Sequence, residues 1–224
     1  MKLSRLRWFI LEASWDKSFG AEILANKQIK NWLAKYGINN PEFVGEGGNG
    51  YAYRDGDKII KITTDSGEAK VSARLINKPI HKNLSRIYDV KEHGLQIVNK
   101  FGLNRTLYLI VQDAVDTNIG SDLGEAADNV GGFIDVYGVE PPYKPPFSKK
   151  KEFKTFDEMF AECLRYEGIE ASSPIAGLMR QLFGIIQSVY ESTGLNYVDV
   201  SRGNTGLGFD GNIKLFDYGL SEFR

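Results

Sequence analysis

The stretch that decides the fold is Gly45-Glu46-Gly47-Gly48-Asn49-Gly50-Tyr51-Ala52-Tyr53, in which the glycines fit the pattern G-x-G-x-x-G. A Rossmann-type fold would need a helix straight after these glycines. Two strand-like runs follow instead, at 51–54 and 58–62, and Asp55-Gly56 between them indicates a β-hairpin. Because glycine has no side chain, such a loop can bring backbone N–H groups close to phosphate oxygens. The sequence therefore predicts phosphate binding, with a plain turn as the alternative, at Gly45, Gly47, Gly48 and Gly50.

A lysine lies within the second strand of this hairpin. Side chains alternate along a strand, so Ile60 and Ile62 share one face while Lys61 points to the other. We interpret Lys61 as a cation for nucleotide phosphates; an exposed lysine at a sheet edge is the alternative. Glu68 is the only acid on the helix predicted to follow, and it is the candidate carboxylate partner of that lysine. The same glutamate matches the spacing of a helix capping box with Asp65, which is a competing role.

The strongest functional signal is Tyr197-Val198-Asp199-Val200-Ser201-Arg202-Gly203-Asn204, followed by Asp217-Tyr218-Gly219. Phosphoryl transfer needs a base or orienting group for the attacking hydroxyl, and metal ions that neutralise charge on the phosphates. Asp199 suits the first role. Asn204 and Asp217 suit the second, because Mg²⁺ prefers oxygen ligands. Turn chemistry explains any one of these residues, but it explains poorly their joint spacing behind a glycine loop and a strand lysine.

The periodicity of the other segments indicates a mixed α+β chain. Residues 1–40 are predicted to be helical, either packing on the rest of the chain or binding a partner. Residues 116–152 are rich in glycine and proline and are predicted to be an irregular insert. The remaining predicted elements are helices at 66–77, 156–166 and 173–192, strands at 84–90 and 107–111, and a hairpin at 205–216.

Composition restricts the class of protein and of partner. The chain has 224 residues and a formal net charge of −1, which argues against a nucleic-acid or membrane-surface partner. One cysteine, Cys163, cannot form an internal disulfide, and with only His81 and His93 beside it a structural zinc site is not expected. Glu12 and Asp16 interrupt the amino-terminal apolar run, so no signal peptide is expected. We therefore expect a cytoplasmic protein.

These motifs resemble those of the protein-kinase-like superfamily over about residues 42–220. The chain is similar to the compact, divergent Ser/Thr-kinase-like proteins of some bacteria and bacterial viruses. The resemblance implies a bilobal α+β fold with a small antiparallel sheet plus helix as the N-lobe and a truncated helical C-lobe. The implied divisions are an N-terminal helical extension at 1–40, a kinase N-lobe at 41–115, the insert at 116–152 and the C-lobe at 153–224.

The resemblance also implies ATP and Mg²⁺ as ligands. Adenine is expected near the hinge at Val111-Gln112-Asp113-Ala114, which adds Gln112 and Ala114 to the nucleotide-binding residues. The other implied roles are an ion pair for Lys61 and Glu68, a catalytic base for Asp199, and metal ligation for Asn204 and Asp217.

The chain departs from the family pattern at three places. Tyr197-Val198 replaces the usual His-Arg, which argues against control by a phosphorylated activation loop. Ser201 replaces the usual catalytic-loop lysine, so Arg202 or a lysine of 149–151 would have to meet the transferring phosphate. The sequence ends five residues after Gly219, so the later helices that bind peptide substrates are not expected. The amino-terminal helices and the insert, or a second copy of the chain in a homodimer, would compensate.

The expected function is Mg²⁺-dependent transfer of the γ-phosphate of ATP to a hydroxyl, in particular to Ser or Thr of a protein substrate. Three alternatives stay open: an ATP-binding pseudokinase that acts as an interaction module, a kinase of a small molecule, and transfer of AMP in place of phosphate.

Overall fold

The computed structural model describes residues 17–47, 50–98, 104–139, 153, 155–197, 199–218 and 222–223. The helices are α1 (Lys17–Ala25), α2 (Lys27–Ala34), α3 (Ser66–Leu75), α4 (Gly120–Tyr137), α5 (Phe156–Glu167) and α6 (Pro174–Thr193). The strands are β1 (Glu42–Gly47), β2 (Gly50–Asp55), β3 (Lys58–Thr63), β4 (Ile87–Val98), β5 (Asn104–Asp113), β6 (Leu195–Asn196), β7 (Thr205–Leu207), β8 (Ile213–Leu215) and β9 (Glu222–Phe223). The first five strands form one antiparallel sheet in the order β1-β2-β3-β5-β4. The predicted α+β class is confirmed.

The β2–β3 hairpin forms where the sequence predicts it. Asp55 pairs with Lys58 across a two-residue turn, and Gly56 in that turn has φ 59°. Glycine adopts this positive φ without a steric penalty. Ala52 lies opposite Lys61, and because successive residues face opposite sides of a sheet, the lysine belongs to a different face from its isoleucine neighbours.

Helices α1 and α2 cover the outer face of the sheet. Asn26 caps α2 by accepting a hydrogen bond of 2.8 Å from the N–H of Gln28. Trp32 Nε1 and the Tyr36 hydroxyl donate to the Asp89 carboxylate on β4, at 2.7 and 2.6 Å. The prediction of packing amino-terminal helices is therefore confirmed for α1 and α2, whereas residues 1–16 lie outside the described part. The hydrophobic cluster at this face includes Ile23, Leu24, Ile29, Trp32, Leu33, Tyr51, Tyr53, Ile60, Ile62, Leu107, Leu109 and Val111.

A second hydrophobic cluster lies on the other side of the sheet and is built by α4, α5, α6 and the 195–218 segment. The Thr155 and Ser173 hydroxyls cap α5 and α6 by accepting hydrogen bonds from backbone N–H groups three residues on, both at 3.1 Å. Helix α6 ends at Gly194, which has φ 75°. Helices α5 and α6 thus confirm the helices predicted at 156–166 and 173–192. None of the helices in the described part combines the length and apolarity that a membrane span requires.

The prediction of an irregular insert at 116–152 is wrong for its first half, which forms α4. Glycine lowers helix propensity, but here a glycine allows a close contact. A Cβ atom on Gly131 would lie 1.8 Å from the carbonyl oxygen of Val200, so only glycine lets the helix approach the 199–204 loop. Tertiary packing thus outweighs the local preference. Residues 140–152 lie outside the described part.

Replacing Gly131 with alanine is expected to destabilise the protein by about 1–3 kcal/mol, because the added methyl group forces α4 away from the Val200 carbonyl. Gly132 is the matched control. A Cβ there would lie 3.6 Å from Glu167 Oε1, an ordinary contact, so Gly132→Ala should stabilise the helix by about 0.5–1 kcal/mol. Urea denaturation measures both values. Equal effects of the two substitutions would contradict the packing argument.

Candidate functional site

A cleft of about 500 Å³ lies between the inner face of the sheet and the loops that follow α6. Helix α3 contributes to one wall, and the 203–217 segment contributes to the wall that faces the sheet. The predicted site residues that line this cleft are Gly45, Gly50, Lys61, Glu68, Gln112, Asn204 and Asp217. Residues far apart in the sequence are therefore brought to a single cavity.

The centre of the cleft is a lysine between two carboxylates. Lys61 Nζ contacts Glu68 Oε1 and lies 3.0 Å from Asp217 Oδ2. The lysine side chain is 19% exposed and that of Glu68 only 4%, whereas Asp217 is 37% exposed. The Lys61–Glu68 pair predicted from the sequence is thus present. The third group, Asp217, lies in the loop after β8. Asp217 lines the cleft and is the more exposed of the two carboxylates, so it is the one that a ligand can reach.

The competing capping role of Glu68 does not occur. Asp65 Oδ1 caps α3 by accepting from the N–H groups of Gly67 and Glu68, at 2.7 and 3.1 Å. The N–H of Asp65 donates to Thr63 Oγ1 at 3.0 Å, so it does not require the glutamate side chain that completes a capping box. The carboxylate of Glu68 is left to pair with Lys61.

Burial and charge shift the acid–base properties of this group. Burial raises the pKa of the Glu68 carboxyl to about 7, with the Lys61 ammonium opposing this effect and the Asp217 carboxylate adding to it. Burial also disfavours the charged form of the lysine, but the two carboxylates outweigh it and raise the pKa of Lys61. Lys61 therefore keeps its positive charge inside the cleft.

The segment 199–204 brings Asn204 to the cleft, whereas Asp199 is not among the lining residues. Asn204 ends a short 3-10 turn and its Nδ2 donates to the carbonyl oxygen of Asp199 at 3.2 Å. Burial raises the pKa of the Asp199 carboxyl, and the negative charges of Asp217 and Asp135 raise it further. Because the charge of Asp217 raises the pKa of Asp199, the two carboxylates lie within electrostatic reach of each other.

Two tyrosines hold the aspartate loops together, and no sequence motif indicated a role for either. The Tyr197 hydroxyl donates to the carbonyl oxygen of Phe216 at 2.5 Å. The Tyr218 hydroxyl donates to the carbonyl oxygen of Ser85 at 3.0 Å. Both tyrosines are fully buried and their rings meet edge to face, with centroids 6.0 Å apart. Their positions in the sequence were the available signal, since Tyr197 comes just before Asp199 and Tyr218 comes directly after Asp217.

Asp217 has an unusual backbone conformation. Its φ is 63°, and among the described residues no other non-glycine residue has a positive φ. Aspartate tolerates this left-handed region better than most residues, yet the conformation is strained and such strain is frequent at functional sites. The hydrogen bonds on both sides of Asp217, from Tyr197 to Phe216 and from Tyr218 to Ser85, maintain the strained geometry.

Four of the predicted ligand groups either lie outside the described residues or have another contact in the structure. Gly48 lies outside the described residues, and so do the lysines at 149–151. Arg202 turns to α4, where its N–H donates to Asp128 Oδ1 at 2.7 Å and its Nε lies 3.4 Å from Asp128 Oδ2. The N–H of Ala114 is already bonded to the carbonyl oxygen of Asp57 at 2.8 Å. Gly47 ends β1 beside the cleft, paired with Gly50.

The donor set fits a hard divalent cation. Asn204 and Asp217 line the same cleft, and amide and carboxylate oxygens are ligands that Mg²⁺ accepts. In the part of the chain that the structure describes, no three His, Cys, Asp or Glu side chains cluster closely enough to enclose a metal. Mg²⁺ does not need such a cage, since it is usually held by one or two protein carboxylates together with water and substrate phosphates.

The cleft thus combines a largely buried cation and an exposed carboxylate with a strained backbone. Asp199, whose pKa is raised, is not one of the residues that line it. Comparison with known proteins adds no assignment to this geometry: no family model matches the chain, and no curated protein matches it.

Proposed function

We propose that the protein is a kinase-like phosphotransferase that binds Mg·ATP in this cleft and transfers the γ-phosphate to a hydroxyl, with Ser or Thr of a protein as the acceptor. The observation that carries the proposal is the contact of Lys61 with both Glu68 and Asp217. The presence of two hydrophobic clusters, one on the outer face of the sheet and one built mainly by α4, α5 and α6, also agrees with a bilobal kinase-like arrangement.

The charge pattern of the cleft suits a triphosphate and its metal. Lys61 offers a positive charge to phosphate oxygens, and Glu68 fixes the lysine side chain because its own carboxylate is buried and cannot turn to water. Mg²⁺, when bound, neutralises charge that develops on the phosphates during transfer. Asn204 and Asp217 are the residues that would hold it.

Asp199 is proposed to orient and deprotonate the acceptor. Its raised pKa makes the carboxylate a stronger base than a solvent-exposed aspartate. The proton of the acceptor hydroxyl passes to a carboxylate oxygen of Asp199 as the hydroxyl oxygen bonds to the γ-phosphorus. The bond from that phosphorus to the β–γ bridging oxygen breaks, and ADP leaves with the electron pair.

An ATP-binding interaction module without transfer activity is the second candidate. The observation that favours it is the pairing of Arg202 with Asp128, which directs this cation to α4. Ser201 stands beside it, so the 199–204 loop does not offer the cation that would meet a transferring phosphate. If the protein is such a module, Mg·ATP raises its melting temperature but no phosphate is transferred.

Mass spectrometry after incubation with Mg·ATP and casein separates the candidates. We expect added phosphate on the protein or on casein, and Asp199→Asn should lower the rate by about 10²- to 10⁴-fold because it removes the base. Added AMP would identify nucleotidyl transfer. A rise in melting temperature with unchanged masses would favour the interaction module.

The matched control is Asp157→Asn. Asp157 is 80% exposed and pairs with Arg180 on the helical side of the molecule, so its amide variant should transfer phosphate at the wild-type rate. Transfer by Asp199→Asn at the wild-type rate would contradict the role of Asp199. The absence of both phosphate transfer and a thermal response to Mg·ATP would contradict the proposed function as a whole.

A further inference from the structure

A second groove, separate from the cleft, lies where the end of α3 meets the start of β4. This α3–β4 groove has a volume of about 140 Å³, well below the roughly 300–1,000 Å³ of small-molecule sites. None of the residues that line it also lines the cleft. The size of the groove therefore suits an inserted side chain of a partner better than a cofactor or a metabolite.

The lining of the α3–β4 groove is mainly apolar. Ile80 is 66% exposed and Ile76 is 38% exposed, whereas Leu84 and Ile87 are buried beneath them. Single exposed apolar residues are ordinary on a protein surface, but neighbouring ones that share a groove mark an interaction site. An exposed apolar rim above a buried apolar floor is the arrangement that receives an apolar anchor side chain of a partner.

Hydrogen bonds to the 213–218 segment hold the base of the groove in place. The Ser85 N–H donates to the carbonyl oxygen of Leu215 at 3.1 Å, and the Ser85 carbonyl oxygen accepts from the Tyr218 hydroxyl at 3.0 Å. Asn83 Nδ2 donates to the carbonyl oxygen of Ile213 at 2.7 Å. Because these bonds fix the groove before a partner arrives, little conformational entropy is lost on binding.

The chain that builds the groove is strongly basic. The stretch 69–88 contains no Asp or Glu but carries five exposed cations, which are Lys70, Arg74, Lys78, Lys82 and Arg86. The whole chain, in contrast, balances 28 Lys and Arg against 29 Asp and Glu. Charge complementarity therefore favours an acidic partner. It disfavours a second copy docked through the same face, because a two-fold axis would bring like charges together.

Two acidic side chains beside the groove are already engaged. Asp113 accepts a hydrogen bond from the Tyr88 hydroxyl at 2.7 Å, and Asp210 pairs with Lys214 at 2.8 Å. Arg86 stacks on the Tyr88 ring, with its guanidinium carbon 4.7 Å from the ring centroid. A guanidinium that stacks by its face still donates from its edge, so Arg86 is able to bind a carboxylate of the partner.

We propose that the α3–β4 groove binds an acidic protein segment, which inserts one large apolar side chain against Ile76 and Ile80. Carboxylates on either side of that apolar side chain pair with Lys82 and Arg86. Exposed charge pairs of this kind mainly select the partner and speed its association, whereas the buried apolar contact supplies most of the affinity. The interaction is independent of the proposed function, since it uses no residue of the cleft.

Fluorescence anisotropy with three labelled peptides tests the chemistry of the partner. The first peptide has leucine and phenylalanine at its centre and glutamates and serines on both sides. The second has lysine in place of each glutamate, and the third has alanine at the two central positions. At physiological salt the wild-type protein should bind the first peptide at least about 10-fold more tightly than either of the others.

Two variants with matched controls locate the binding site. Ile80→Ser should lower the affinity for the first peptide by about 10- to 30-fold, whereas Val136→Ser, at a 42% exposed valine on α4, should leave it unchanged. Lys82→Glu/Arg86→Glu should reverse the preference, so that the lysine peptide binds more tightly than the glutamate peptide. Lys27→Glu/Lys30→Glu makes the same change in net charge on α2 and should preserve the wild-type preference.

Sedimentation velocity decides between the acidic partner and a second copy of the chain. Wild type and Ile80→Ser should sediment at the same size. A wild-type dimer that Ile80→Ser dissociates would assign the groove to self-association and overturn the acidic partner. Equal affinity for the glutamate and lysine peptides, wild-type affinity in Ile80→Ser, an unreversed preference in Lys82→Glu/Arg86→Glu, or no binding of any peptide would overturn it as well.

Discussion

Replacing Lys61 with methionine is expected to destabilise the protein by about 1–3 kcal/mol at pH 8, because Glu68 loses its cation and must either stay ionised in a buried position or take up a proton. The side chain of Glu68 is only 4% exposed and contacts Lys61 directly. Asp217 loses its contact with Lys61 as well, but its side chain is 37% exposed, so water can solvate it. Denaturation by guanidinium chloride measures the loss.

The double variant Lys61→Met/Glu68→Leu distinguishes a buried charge from lost packing. Removing both partners leaves no buried unpaired carboxylate, so the double variant should recover most of the stability that the single variant loses. It should still fail to bind Mg·ATP, since the cation for the phosphates is absent. A double variant as unstable as Lys61→Met would show that packing of the lysine stem, and not the ion pair, is responsible.

Lys58→Met is the matched control on the same strand. Lys58 Nζ lies 2.8 Å from Asp57 and 3.5 Å from Asp113, carboxylates whose side chains are 66% and 37% exposed. Water can solvate both when the lysine is removed, so this substitution should change the free energy of unfolding by less than about 1 kcal/mol.

The loss at Lys61→Met should also depend on pH. The pKa of Glu68 is raised to about 7 in the folded protein, so the native state binds a proton that the unfolded state releases near its usual, lower pKa. Stability therefore falls as the pH rises through this window, by at most about 1.4 kcal/mol per pH unit. Without Lys61 the pKa of Glu68 rises further and the fall continues above pH 7. The penalty of Lys61→Met should thus be smaller at pH 6 than at pH 8.

Local signals in the sequence were sufficient for many elements of this fold. The Asp55-Gly56 turn and the Asp65 cap depend on neighbouring residues only, and both are found where the sequence indicates. The Ser173 cap and the Gly194 stop of α6 are local signals of the same kind. Helix α4 was missed because its glycines are unfavourable locally and become favourable only through contacts such as that of Gly131 with Val200. That contact joins residues 69 positions apart and has no local signature.

In the site, too, the sequence indicated features that depend on local spacing but not contacts between residues far apart in the chain. The spacing of Asp199, Asn204 and Asp217 identifies residues that line or adjoin one cleft. The sequence did not indicate that Tyr218 would bond to the carbonyl of Ser85, 133 residues away. Nor did it show that the N–H of Ala114 is engaged by Asp57. Hydrogen bonds to backbone carbonyls carry no side-chain pattern at the accepting residue, so the sequence cannot reveal them.

Asp217→Gly is expected to abolish the response to Mg·ATP while relieving the strained backbone. In wild type, ligand at 100 times its dissociation constant should stabilise the protein by about 2.7 kcal/mol. Removal of the carboxylate that faces the cleft should eliminate this stabilisation in both Asp217→Gly and Asp217→Ala. Asp210→Ala, which removes an exposed carboxylate paired with Lys214 on the β7–β8 hairpin, should keep the full response.

The two Asp217 variants should differ from each other without ligand. Both lack the carboxylate, but alanine retains the Cβ atom that makes φ 63° unfavourable, whereas glycine does not. Asp217→Gly should therefore be more stable than Asp217→Ala by about 1–2 kcal/mol in thermal denaturation. Equal stabilities would show that the left-handed conformation is not maintained in solution. An undiminished response of Asp217→Gly to Mg·ATP would show that the carboxylate of Asp217 is not a ligand of the metal. The strain and the ligand response thus depend on different atoms of one residue, and the pair of substitutions measures each separately.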